Sequence, residues 1–275
     1  MIQAELAAYD PATKKVTLKL ASGANAVVDL ATLIDENQAR ITGQERMPWM
    51  TKQPSEWPQM VLTNETEFRG HTGLSGASSF LVSHERMGVV AATAVHLLGR
   101  NGGVEPELKL PELDRSLIQW KMCPRTVENS AVEIASLAAP TVPVKENDWL
   151  FLNLKPSTRL LPAAPLRLRE EPIKIGETVH LIGVSYEEPT VKQKVYTGKV
   201  QERHFGDYFR FEISPSVKIE GFSGAPILDA NGMVVGVLSL VFEPRVKDGK
   251  VIEAGGEDAA TAIAFLRRQH PETKR

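Results

Sequence analysis

The sequence predicts an all-β protein, a barrel or a sandwich, preceded by a small N-terminal β element, and three observations carry that prediction. From Ser78 onward, short strand-like runs alternate with turn signals. Helical periodicity is nearly absent until a run over 258–268 near the C-terminus. The 275 residues, 42% apolar and 24% charged, have ordinary globular composition, which excludes a disordered chain or a disulfide scaffold.

Within residues 1–45, Lys15–Leu20 alternates and is rich in strand formers, and Ser22-Gly23-Ala24-Asn25 signals a turn. Ala26–Leu30 then returns as a hairpin partner, and a short helix is expected over 29–39. A bare hairpin is marginal in water, so this piece is expected to dock on the main body, covering a sheet edge or receiving a regulatory protein partner. Residues 46–67 hold Pro48, Pro54, Pro58, Trp49 and Trp57 and read as an extended connection. The main body follows over 68–275, with expected strands at 79–82, 88–92, 149–154, 178–183, 195–200, 208–213, 225–228 and 234–241.

Charge and cysteine content narrow the function. Thirty-two basic against 34 acidic residues leave a net charge of −2, no broad field for a nucleic-acid backbone. The single Cys123 cannot form an internal disulfide and reads as a small residue, buried or half-buried. No run has the about 18 apolar residues of a membrane helix, so no membrane partner is expected. The segment Met1–Leu6 has neither a basic start nor an apolar core, so a cytoplasmic location is expected. No His-Glu-x-x-His or clustered Cys/His pattern is present, and no metal or organic cofactor is implied.

Two segments carry chemistry. In Glu220-Gly221-Phe222-Ser223-Gly224-Ala225-Pro226, glycines flank a serine just before a strand. Such a backbone exposes the hydroxyl and lets N–H groups converge on one small volume, where they stabilise an oxyanion. A serine nucleophile needs a histidine base, and the base needs an orienting carboxylate. Of six histidines, His96 differs from His71, His84, His180, His204 and His270. It ends the apolar run Gly88–Val95 at a turn beside Gly99.

Thr93-Ala94-Val95-His96 resembles the histidine motif of trypsin-like, chymotrypsin-fold serine peptidases, and Gly221–Pro226 resembles their serine motif. The flanks Gly76–Val82, Asn231-Gly232 with Val235-Gly236-Val237, and Gly176–Gly183 are similar to the corresponding segments of bacterial members. The resemblance spans roughly residues 68–266. It implies two six-stranded antiparallel β-barrels, parting near 155–175, with a C-terminal helix. It also implies a serine endopeptidase acting on protein or peptide substrates through a triad of His96, Asp148 and Ser223. The oxyanion hole would be the N–H groups of Gly221 and Ser223. Asp148 heads a strand similar to the family's aspartate strand; Asp114 is the rival. Ser239 matches the position whose hydroxyl supports the aspartate. By position, Val217 would floor the substrate pocket, with Ser239, Leu240 and Val241 along its wall. No acidic residue falls there, so a small or aliphatic residue before the cut is expected.

Phe222 departs from the pattern. It stands where the family usually has Asp or Asn, and in zymogen-activated members that aspartate pairs with a newly cut N-terminus. Phenylalanine cannot make that ion pair, so maturation by that switch is not expected, and packing or a ligand must hold the oxyanion loop. Two rivals remain. A latent or inactive module of the same fold would bind peptides or a protein partner. An α/β-hydrolase would need a helix after the serine, and here Pro226 and a strand-like run follow.

Overall fold

The structure, a computed structural model, describes residues 4–10, 12–33, 46–127, 130–138, 147–157, 160–204, 207–239 and 243–269. Strands β1 (Ala4–Asp10), β2 (Lys15–Leu20) and β3 (Asn25–Asp29) form a three-stranded antiparallel sheet. The hairpin β2–β3 follows the predicted alternation. Strand β1 was not expected, because its alanines have weak strand preference. It forms by pairing with β2, Leu6 opposite Leu18 and Tyr9 opposite Val16. The helix expected over 29–39 is, as far as the described residues go, a single 3-10 turn at Leu30–Thr32; the rest of that expectation lies outside them.

Residues 46–60 form a strap, not a free connection. Prolines open two 3-10 turns, Pro48–Thr51 and Pro54–Glu56, where their missing N–H costs nothing. Trp49 and Trp57 pack together with ring centres 4.9 Å apart, and Trp57 meets His180 edge-on. The Met47 N–H donates to the Asn231 carbonyl, and the Gln193 side chain accepts from Met60 N–H and donates to the Pro58 carbonyl. The strap therefore lies on the second barrel before the chain enters the first.

Entry comes at β4 (Val61–Phe68), inside the stretch read as a connection. Its inward positions include Asn64, fully buried, which donates to the Gly76 carbonyl and accepts from the Trp120 indole N–H. A buried, satisfied asparagine keeps the alternation in space and hides it in the sequence. The first barrel adds β5 (Ser75–His84), β6 (Gly88–Ala94), β7 (Leu117–Cys123), β8 (Val132–Leu137) and β9 (Trp149–Leu154). It closes in the order β4-β5-β6-β9-β8-β7. A one-turn helix, α1 (Leu113–Ser116), precedes β7.

The second barrel comprises β10 (Thr178–Gly183), β11 (Lys194–His204), β12 (Tyr208–Val217), β13 (Pro226–Asp229), β14 (Val234–Ser239) and β16 (Lys250–Asp258). The β12–β16 pairing closes it, and β15 (Arg245–Lys247) pairs with β16 outside the ring. Both barrels are thus six-stranded and antiparallel, the predicted fold class. Closure leaves no unpaired edge in either ring.

Between the barrels the chain zips to both. Leu166 exchanges backbone hydrogen bonds with β5, and Arg167 and Arg169 bond Val234 on β14. The interface core includes Phe80, Trp149 and Phe151 from one barrel and Ile182, Leu228 and Val234 from the other. Helix α2 (Ala259–Gln269) packs Ala262 and Leu266 on this core, and the Asp258 carboxylate caps it at the Ala260 N–H.

Candidate active site

Strand β6 delivers its histidine at a 3-10 turn, Val95–Leu98. Asp148 immediately precedes β9, the antiparallel neighbour of β6. The two are tied three ways, and Ser239 supports the aspartate. The Val95 N–H donates to the Asp148 carbonyl at 2.7 Å and the His96 N–H to Asp148 Oδ1 at 2.8 Å. His96 Nδ1 lies 2.6 Å from Asp148 Oδ2, and Ser239 Oγ donates to that same oxygen at 2.6 Å. A carboxylate at Nδ1 keeps the proton there and leaves Nε2 as the basic nitrogen. His96 Nε2 is buried and has no hydrogen-bond partner among the described residues.

The serine turn comes from the second barrel, between β12 and β13. It is bonded to the first barrel beside the histidine. The Ser223 carbonyl accepts from Ser78 N–H at 2.8 Å, and the Gly221 carbonyl accepts from Ser78 Oγ at 2.7 Å. Thr93 Oγ1, three residues ahead of His96, donates to the Ser78 carbonyl. Gly224 has φ +81°, and a Cβ there would stand 2.3 Å from the Ser78 oxygen and 2.4 Å from Thr93 Oγ1. Only glycine allows that turn to sit against β5 and β6.

The Phe222 N–H donates to the Ile219 carbonyl at 3.0 Å, and Gly221 has φ +100°. This is a type II turn with glycine at its third position. Among the described residues, the N–H groups of Gly221 and Ser223 donate to no protein acceptor. Phe222 is fully buried and packs edge-on against Tyr196, ring centres 5.5 Å apart. A Cβ at Gly183 would be 2.3 Å from the Phe222 ring. Aromatic packing therefore anchors the loop where the family pattern has a charge.

The remaining predicted positions divide. Asp114, the rival acid, accepts from the Leu137 N–H at 2.7 Å and so pins the end of β8, not the histidine. Ser239 both supports Asp148 and lines a cleft of about 800 Å³ with His96, Leu98, Leu110, Asp148 and Tyr208. Val217 is buried in the second-barrel core, away from that cleft. Leu240 and Val241 lie outside the described residues. Cys123 is free and half-buried, and burial pushes its thiol pKa up.

Glu257 escaped the sequence reading. It is fully buried on β16, and its Oε2 accepts the Asp148 N–H at 2.5 Å, while Oε1 has no partner among the described residues. Burial pushes its carboxyl up to about 8. The bond from the Asp148 N–H opposes that, and the carboxylates of Asp148, Asp207 and Asp258 add to it. At neutral pH it is a neutral acid beneath Asp148. A glutamate after two glycines reads as a surface charge, and only the register of β14 with β16, Val237 opposite Glu257, turns it inward.

Among the described residues no group of three or more His, Cys, Asp or Glu is placed to hold a metal ion. No described helix is long and apolar enough to cross a membrane.

Two closed antiparallel six-stranded barrels, with a histidine and an aspartate from one and a glycine-flanked serine from the other, define a chymotrypsin-fold protein. Residues 77–237 match the family model of the trypsin-like peptidase domain, and the chain belongs to that family. The fold is similar to that of the Rv3671c protease from M. tuberculosis in its active form. That match has TM-score 0.52 and 16% identity, and covers 84% of this chain and 89% of that one. The inactive form of the Rv3671c protease matches with TM-score 0.50 and 17% identity over 82% of this chain and 97% of that one. No curated protein matches the sequence significantly.

Proposed function

We propose that this peptidase-family chain is a serine endopeptidase whose triad is His96, Asp148 and Ser223. Ser223 Oγ attacks the carbonyl carbon of a peptide bond while His96 Nε2 takes the hydroxyl proton. The N–H groups of Gly221 and Ser223 receive the negative charge that develops on the carbonyl oxygen. His96 then passes the proton to the departing amine, leaving an ester on Ser223. Water, deprotonated by the same nitrogen, hydrolyses that ester. Asp148 keeps the imidazole in the Nδ1–H tautomer and stabilises the imidazolium formed in each half-reaction.

The observation that supports this reading is the 2.6 Å Nδ1–Oδ2 contact between His96 and Asp148, with Nε2 left without a hydrogen-bond partner among the described residues. In the unliganded protein Nε2 makes no hydrogen bond to Ser223 Oγ, and on this reading the two close to hydrogen-bond distance when substrate binds. The cleft walls of Leu98, Leu110 and Tyr208 favour apolar side chains on the acyl side of the substrate.

The test is fluorophosphonate labelling of the wild type beside Ser223→Ala and His96→Ala at neutral pH. Labelling of the wild type alone supports the triad. An unlabelled wild type, with all three proteins folded, overturns it in favour of a peptide-binding module.

A further inference from the structure

An oxyanion donor works only if its peptide faces the right way. In a type II turn the central peptide is rotated by about 180° relative to type I, so its carbonyl and N–H exchange sides. Here that peptide joins Glu220 to Gly221. Its Glu220 carbonyl accepts from the Tyr186 N–H at 3.0 Å. A trans peptide points its N–H opposite its carbonyl, so pinning this oxygen sets the direction of the Gly221 N–H.

The Tyr186 side chain reaches further. A Cβ at Gly221 would meet its ring at 3.0 Å, and a Cβ at Gly76 would meet its hydroxyl oxygen at 2.6 Å. The ring therefore lies across one α-carbon from each barrel. The hydroxyl accepts from the Ala77 N–H at 2.5 Å. Ala77 is buried and has φ +54°, a left-handed conformation uncommon for alanine. The next residue, Ser78, bonds the carbonyls of Gly221 and Ser223. Arg125, in the connection from β7 to β8, lies 5.4 Å over the Tyr186 ring and donates to the Ser185 carbonyl at 2.7 Å. The bonds form a closed circuit from Tyr186 to Ala77, Ser78, the serine turn, Glu220 and back.

We infer that Tyr186 is the positioning residue of the oxyanion hole, a latch between the barrels that holds the Gly221 N–H in its donor orientation. Phe222 anchors the loop to the second barrel but fixes no peptide direction. Tyr186 and its Arg125 brace do the orienting that a charged residue ahead of the nucleophile would otherwise share. The inference rests on the triad reading above, and its test separates the two.

Full-length wild type, Tyr186→Phe and Tyr186→Ala are compared by the rate of fluorophosphonate labelling. In the Ser223→Ala background, the same three are compared by the NMR shift and hydrogen-exchange rate of the Gly221 amide. Tyr186→Ala is expected to slow labelling by about 100- to 1,000-fold, the effect of losing one oxyanion donor. Tyr186→Phe, which keeps the ring and loses the Ala77 acceptor, should fall between. In both, the Gly221 amide should shift and exchange faster. A folded Tyr186→Ala whose Gly221 amide keeps its wild-type shift and exchange rate overturns the latch, even if its melting temperature drops. If Tyr186→Ala does not fold, the same amide in Tyr186→Phe decides. A wild type that fails to label sinks the triad reading, and the Gly221 amide still decides the latch.

Discussion

The two barrels hold their halves of the site by different physics. In the first, His96 and Asp148 are fixed by directed hydrogen bonds: two backbone N–H groups, an imidazole and the Ser239 hydroxyl converge on one aspartate. In the second, the serine turn is held by a buried ring, Phe222 on Tyr196, and by bonds to Ser78 across the interface. A hydrogen-bonded half fails chemically when one group changes, with the fold kept. A packed half fails mechanically, because an aromatic removed from a core leaves a cavity. Perturbations of the two halves should therefore separate rate from stability.

The largest effect belongs to Ser223→Ala. Hydrolysis of a peptide substrate should fall by about five orders of magnitude or more, with the melting temperature unchanged. Retained hydrolysis would falsify the nucleophile assignment. Asp148→Asn comes next, at about 10⁴-fold in kcat, because an amide at Nδ1 permits the wrong tautomer. Steady-state kinetics with circular dichroism as a fold control measures it.

Phe222→Ala tests the packed half. Its truncation should cost about 3–5 kcal/mol in chemical denaturation. If it costs less than about 1 kcal/mol, the ring is not the anchor. Here activity should fall through a loosened loop.

Glu257 links the halves, since it sits on the second barrel and holds the Asp148 N–H of the first. Its folded pKa of about 8 lies above the ordinary value of 4.5 that holds in the unfolded chain, so the folded state keeps a proton that the unfolded state loses. Its contribution to stability is fully present below about 4.5 and is lost as pH rises through about 8. Glu257→Gln removes that loss, so the unfolding free energy from chemical denaturation should fall less steeply between pH 5 and 9, the two proteins differing by about a few kcal/mol at the alkaline end. Parallel slopes for the two proteins would show that burial does not govern this group.

The smallest effect is Asp114→Ala. It should leave kcat within about twofold and cost about 1–3 kcal/mol by orphaning the Leu137 N–H. A large rate loss would move the acid role away from Asp148.

Much of the fold was legible because its strands are bounded by turns and are rich in apolar residues, as at Trp149–Leu154 and Thr178–Gly183, whose limits the structure keeps. Strand β4 was not legible, because its inward Asn64 and Thr66 look polar. The strap before it looked like a linker because proline suppresses regular structure, while Trp57 is buried by packing on Trp49 and His180 and by donating its indole N–H to the Lys52 carbonyl.

The sequence by itself determined the all-β class, strands such as Trp149–Leu154 and Thr178–Gly183, the turns that carry His96 and Ser223, and, through Phe222, an uncharged residue just ahead of Ser223. Tertiary structure decided which aspartate meets His96, what Ser239 supports, why Glu257 is neutral and which way the Gly221 peptide faces. Those contacts join residues 52, 91 and 109 positions apart. Local pattern carries periodicity and turn chemistry over a few residues. A polar side chain's partner, and so its burial, charge and role, is fixed only when barrel closure and strand register bring the distant chain beside it.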